Sequence, residues 1–199
     1  MATNEGKKQE LTLVLGANGK TGRRVAQRLR ALGRPVREGA RSTSPRFDWE
    51  DRCTWQAVLT GADAAYITYQ PDLAAPGALA TVRAFFEQAL ALGVKKLVLL
   101  SGRGEVEAQE AERALQATGA DWTILRASWF CQNFSEGFVL DPILAGEVAL
   151  PAGPVAEPFV DVDDIADVAV AALTQPGHVH QLRGRSNSRL GGRTVPSNA

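Results

Sequence analysis

Leu11-Thr12-Leu13-Val14-Leu15-Gly16-Ala17-Asn18-Gly19-Lys20-Thr21-Gly22 is the stretch on which the fold turns. The first five residues are a short, nearly unbroken apolar run that stops at a glycine. Such a run reads as a strand buried on both faces, as strands of parallel sheets are. From Lys20 to Leu32 the period changes: Val25, Leu29 and Leu32 fall at i, i+4 and i+7, one stripe of a helix, and Gly33 closes it. Gly16, Gly19 and Gly22 stand at the junction. The first permits a sharp turn off the strand. The second lets backbone approach a diphosphate with no Cβ in the way, and the third lets the helix pack close to the sheet. The amides and positive dipole end of that helix suit an anion, and Asn18, Lys20 and Thr21 can add side-chain contacts. No Gly-Lys-Ser/Thr follows Gly16 at the spacing of a Walker-type phosphate loop.

Outward from this unit, strands and helices alternate. Strands are expected at Pro35–Ala40, Phe47–Asp48, Ala64–Thr68, Leu97–Leu100 and Trp122–Leu125. Between them lie helices at Trp55–Leu59, at the stripe Leu79, Val82, Phe86, Ala89 and Leu90, and at Glu105–Thr118. A last helix carries Ile165, Val168, Ala169, Ala172 and Leu173, with Asp161, Asp163 and Asp164 about its start. This alternation specifies an α/β, doubly wound parallel sheet. Residues 137–160, rich in Gly and Pro, read as an excursion from it. We expect residues 1–10 to be disordered, 11–182 to form one dinucleotide-binding domain, and 183–199 to be a basic disordered tail.

Composition narrows the class. The 199 residues carry 22 Lys+Arg and 22 Asp+Glu, and that balance excludes a generally basic nucleic-acid binder. Four arginines and no acid follow Pro176, so the body is −4 and the tail +4. The tail suits disorder, or a basic arm touching an anionic partner. No apolar stretch reaches the roughly 18 residues of a membrane span. Cys53 and Cys131 make no disulfide framework, and the expected location is the cytoplasm. His178 and His180 would share a strand face but lack a third ligand, so no metal is expected. The aspartates at the last helix start suit its dipole rather than a metal.

The second strand decides which dinucleotide is expected. An acid at its end would hold a ribose hydroxyl and repel a 2′-phosphate. Here it ends at Arg41-Ser42-Thr43-Ser44, a guanidinium fork followed by hydroxyls, which favours NADP, with NADPH preferred over NADH. Asp48 suits an adenine amino group or a helix N-cap before Trp55.

Several blocks are similar to a known family. GANGKTGRRV (16–25), VREGARS (36–42), FDWED (47–51), GADAAYITY (61–69), KKLVLLSGRG (95–104), DWTILRASWFCQNF (121–134) and EPFVDVDDIADVAVAAL (157–173) resemble, in order, the NmrA-like branch of atypical short-chain dehydrogenases. The resemblance spans about residues 10–180. It implies a Rossmann domain binding NAD(P), either in a reductase of quinones or of conjugated or imine acceptors, or in a redox-sensing regulator without turnover. A homodimer or a regulatory protein partner is possible in such a protein. By this resemblance Gly16, Asn18, Gly19, Lys20, Thr21, Gly22, Arg41 and Asp48 contact the cofactor, and Ser42 adds a hydroxyl beside Arg41. Tyr69, Gln70, Pro71 and Ser101 border its ribose and nicotinamide.

Two departures stand out. The Tyr-x-x-x-Lys pair of short-chain dehydrogenases is missing: neither Tyr66 nor Tyr69 has Lys four residues on. The helix after Ser101 instead carries Glu105, Glu107, Glu110 and Glu112, read as a solvated face. Ser101 is the one candidate catalytic hydroxyl, with a strand-end cap as its bland alternative. Trp129, Phe130 and Phe134 either wall the nicotinamide side or pack as core. Secondly, relatives continue beyond the strand suggested by Val179–Leu182 with a segment that shapes the substrate pocket. Here an Arg/Ser/Gly tail follows, as a truncation or frameshift would produce, so the substrate segment is expected to be incomplete.

Overall fold

The computed structural model describes residues 9–137, 139–149 and 158–184. Most of the expected disordered N-terminus and basic tail lies outside the described residues. Six parallel strands form one sheet in the order β2-β1-β3-β4-β5-β6: β1 Thr12–Leu15, β2 Val36–Gly39, β3 Ala64–Ile67, β4 Lys96–Gly102, β5 Asp121–Ala127 and β6 Gln181–Arg183. The helices are α1 Lys20–Ala31, α2 Trp55–Leu59, α3 Ala78–Ala91, α4 Val106–Gln116, α5 Leu140–Leu144 and α6 Val162–Thr174. None is long and apolar enough to cross a membrane. Arg183 pairs with Leu125, so the sheet reaches one residue into the stretch expected to be tail.

Alternation along each strand builds two cores. Leu13, Leu15, Leu97 and Leu99 face α2, α3 and α4, packing with Trp55, Phe85, Phe86 and Leu115. Val14, Tyr66, Val98 and Leu125 face α1 and α6, packing with Val25, Leu29, Ala169 and Leu173. All these strand residues are buried, which is why the sequence shows apolar runs rather than polar alternation.

Phe47–Asp48 is not a sheet strand. The Asp48 carbonyl accepts from Trp55 Nε1 at 2.8 Å, and its amide donates to Thr54 Oγ1 at 3.0 Å. These bonds close a tight loop whose single bridge joins Asp48 to Asp51. The segment instead feeds Phe47, Trp49 and Trp55 into an aromatic cluster around Phe85. His178 and His180 also lie outside a strand: they precede β6, and His180 has φ of 58°.

α1 and α6 are clamped by charge. Arg24 and Arg28 reach Asp163 at 3.2 and 2.7 Å, and Arg28 also takes Asp167 at 2.6 Å. Asp161 caps α6 by accepting from the Asp163 amide at 2.7 Å. The aspartates therefore serve the helix start, as the dipole argument expects, and the α1 arginines as well. Glu136, beyond β5, accepts from Arg24 at 2.8 Å and pairs with Arg23. Its hydrogen bond to Arg24, aided by both positive charges, holds its carboxyl below the usual carboxylate range.

Two outcomes follow. Phe85→Ala, deep in the larger core, lowers the unfolding free energy by about 3–5 kcal/mol in urea titration. Glu136, with its folded pKa depressed, contributes stability above its unfolded pKa and loses it as pH falls through the folded value. Between about pH 6 and pH 3 the wild type therefore loses more stability than Glu136→Gln in paired urea titrations.

Candidate active site

The strand order reverses between β1 and β3, and a crevice opens at the carboxyl ends of the strands where neighbouring connections diverge. A cleft of about 1670 Å³ occupies it. Every expected site residue except Gly22 lines this cleft: Gly16, Asn18, Gly19, Lys20, Thr21, Arg41, Ser42, Asp48, Tyr69, Gln70, Pro71 and Ser101. A hollow of about 570 Å³ outside β2 shares only Asn18 and Ser42 with it. The charges there are already engaged: Arg30 pairs with Glu38, and Arg37 donates to the Val58 and Thr60 carbonyls.

Gly22 sits behind the loop, and its role is steric. A Cβ there would stand 2.3 Å from the Gly16 carbonyl oxygen, so α1 reaches the end of β1 only because no side chain intervenes. Gly16 has φ of +65°, and a Cβ there would meet Thr68 Oγ1 at 2.3 Å. Gly19 is the N-cap of α1 without a capping side chain, and no acid stands in the first turn. A helix start leaves its first amides without intrahelical acceptors. With no side chain supplied for them, those of α1 remain open to an anion.

The rim is polar and partly tied down. Asn18 Nδ2 donates to Ser42 Oγ at 2.8 Å, joining the glycine loop to the turn after β2. Thr43 Oγ1 closes that turn on the Ala40 amide and carbonyl, both at 2.9 Å. Arg41 beside it is exposed. Asp48 is not the expected N-cap. Its carboxylate takes Arg46 at 2.6 Å and the Glu50 amide at 3.2 Å, while Asp51 caps the short turn before α2. Trp49, for which no motif assigns a site role, also lines the cleft. It touches Phe47, Trp55, Tyr69 and Phe85 and donates to the Thr68 carbonyl at 3.1 Å.

The far end is walled by Trp129, Phe130 and Phe159. Trp129 and Phe159 are 41% and 49% exposed, so these rings are cleft wall rather than core. Phe134 packs edge-on against Phe159 with centroids 5.2 Å apart. Lys20, Arg23, Arg103, Asp72, Glu105 and Glu136 supply mixed charge around it. Burial, with Asp72 and Glu107 nearby, raises the Glu105 pKa.

The solvated-face reading of α4 fails at one position. Glu112 is 2% exposed, accepting from Ser101 Oγ at 2.6 Å and from Arg126 at 2.5 and 2.8 Å. Ser101 is thus neither a strand-end cap nor a free hydroxyl. Tyr66 is no substitute proton donor. It is fully buried in the α1/α6 core, and desolvation drives its pKa up, with the Thr21 hydroxyl opposing.

These features define a Rossmann-type doubly wound fold with an anion-ready glycine loop at its topological switch point. The chain is similar to agroclavine dehydrogenase of Claviceps fusiformis, 33% identical over 187 residues that cover 82% of this chain and 63% of the relative. It is 30% identical over 190 residues to prestalk A differentiation protein A of Dictyostelium discoideum, covering 87% and 62%. It therefore spans a little under two thirds of these relatives' length. Among solved structures, triphenylmethane reductase of Citrobacter sp., complexed with NADP(H), shares the fold with a TM-score of 0.68. That match is 18% identical and covers 87% of this chain and 68% of the other. No protein-family model matches the chain.

The glycine contact has a diagnostic sign. In an unobstructed helix Gly→Ala stabilises by roughly 0.5–1 kcal/mol. Gly22→Ala instead destabilises by about 1–3 kcal/mol in urea titration, because the methyl group must force α1 off β1.

Proposed function

We propose that this chain is an NADPH-binding reductase of the NmrA-like branch, passing a hydride to a small planar acceptor of quinone-like, conjugated or imine type. One observation carries the reading: the open glycine loop and the Arg41–Ser42 turn meet in a single cleft at the switch point. The residues present fit the cofactor. The close approach at Gly16 and Gly22 leaves the first amides of α1 bare for a diphosphate. Arg41 offers a fork to a 2′-phosphate, and Ser42 stands beside it, held by Asn18. Asp48 borders the adenine, and Tyr69, Gln70 and Pro71 border the ribose and nicotinamide. When bound, the nicotinamide supplies the hydride. The relatives support this reading, since two are named as a dehydrogenase and a reductase, the latter solved with NADP(H).

The chain's own contribution is binding, orientation and exclusion of water. Trp129, Phe130 and Phe159 offer flat apolar walls to a planar acceptor. The Tyr-Lys pair is missing from the sequence, and an acceptor that takes its proton from solvent suits the cleft.

Calorimetry with NADPH and NADH tests the cofactor assignment. Arg41→Ala weakens NADPH by about 10- to 100-fold and leaves NADH nearly unchanged. An NADPH preference that survives the substitution overturns the 2′-phosphate role. NADPH oxidation with a simple quinone supports the reductase. Tight binding without turnover across an acceptor panel returns the sensor reading in its place.

A further inference from the structure

The mechanism leaves one buried charged group without a task. Glu112 lies on α4 among Ala108, Ala111 and Leu115, all fully buried, and carries a carboxylate where the helix stripe calls for an apolar residue. Arg126 grips it through Nε and Nη2, at 2.8 and 2.5 Å. Ser101 and Arg126 are register partners at the ends of β4 and β5, so both reach the same carboxylate from adjacent strands. Ser101 also lines the cleft. Burying a charge pair is costly, and a hydrophobic set of equal volume packs at least as well. The arrangement therefore calls for a reason beyond stability.

Hydrogen-bond polarity supplies one. A carboxylate paired with a guanidinium only accepts. A serine hydroxyl has one proton to give, and the 2.6 Å bond commits it to Glu112. What remains on Ser101 Oγ is lone pairs. We propose that Glu112 and Arg126 fix Ser101 as an obligate hydrogen-bond acceptor in the cleft, positioning the nicotinamide half of the dinucleotide through one of its donors, a ribose hydroxyl or the carboxamide N–H. Ser101 is then a positioning residue and does not protonate the acceptor. The inference rests on the cofactor reading above and deepens it.

The test inverts the polarity. In Glu112→Gln, Arg126 retains the amide oxygen and the amide N–H faces Ser101. The hydroxyl must accept it and turn its own proton toward the cleft, where donor meets donor. Affinity for NADPH and for 2′,5′-ADP, which lacks the nicotinamide half, is measured by calorimetry on wild type, Ser101→Ala, Glu112→Gln and the double variant. Ser101→Ala raises the NADPH Kd about 2- to 10-fold. Glu112→Gln raises it at least as much, and the double variant is no worse than Ser101→Ala alone. The 2′,5′-ADP Kd stays constant throughout.

Additive effects of the two substitutions, or a 2′,5′-ADP Kd that rises with them, indicate a purely structural network and overturn the proposal. If Glu112→Gln fails to fold, Ser101→Ala decides by itself, and an unchanged NADPH Kd refutes the role. Failure of wild type to bind 2′,5′-ADP sinks the cofactor reading instead, which keeps the two failures apart.

Discussion

The site depends on how near a helix can come to the end of a strand. α1 starts so close to β1 that Gly22 has room for a hydrogen and nothing larger against the Gly16 carbonyl. That approach sets the helix start at the end of β1, beside the switch point, where Gly19, Lys20 and Thr21 line the cleft. Gly19 brings no capping side chain and the first turn has no acid, so the α1 amides face the cleft without a competing acceptor from the chain's own cap. α6 differs, since Asp161 caps it and Asp163 follows, whereas α3 also starts at a glycine with no capping side chain and no acid in its first turn.

α1 is therefore held from its flank rather than its tip. Arg24 and Arg28 tie it to α6, and Glu136 ties it to the segment after β5. Gln132 completes the arrangement, taking the Val162 amide and donating to Asp161. The glycine loop, the aromatic end of the cleft and the last helix thus share one polar lattice. Individual exposed pairs contribute little, but a lattice of pairs holds geometry that single contacts do not.

The sheet was legible because fully buried strands announce themselves as apolar runs ending at glycine, serine or proline. Thr12–Leu15, Ala64–Ile67 and Lys96–Gly102 all fall where such runs predict them. Phe47–Asp48 misled because two residues carry no period, and the bonds that bend it come from Thr54 and Trp55, several positions away. Glu112 is legible only when its neighbours on the helix are read with it. Counted as one of four glutamates it looks solvated. Placed on the stripe Ala108, Ala111, Glu112 and Leu115, it is a carboxylate at a core position, and such a residue demands a partner. Arg126 could not be assigned to it from sequence, since the pair forms only when β5 lies beside β4. Asp48 failed as an N-cap for a similar reason: Asp51, three residues later, meets the Cys53 amide first.

Proton supply sets the chemical character of the site. Hydride addition to a carbonyl leaves an alkoxide that needs an acid, and the enzymes that specialise in it place a phenol or imidazole within reach. Here the phenol of Tyr66 is sealed in the core below the loop, and the hydroxyl of Ser101 is spent on a carboxylate. Tyr69 lies half-buried against Trp49. Under the proposed function, acceptors whose reduced form is a stabilised anion or a neutral amine suit such a cleft better than simple ketones. A quinone spreads the incoming charge over its ring and takes its protons from water afterwards, and a cationic imine is neutralised by the hydride itself. Under that proposal, a cleft without the Tyr-Lys pair favours acceptors that need no acid placed beside the reacting carbon.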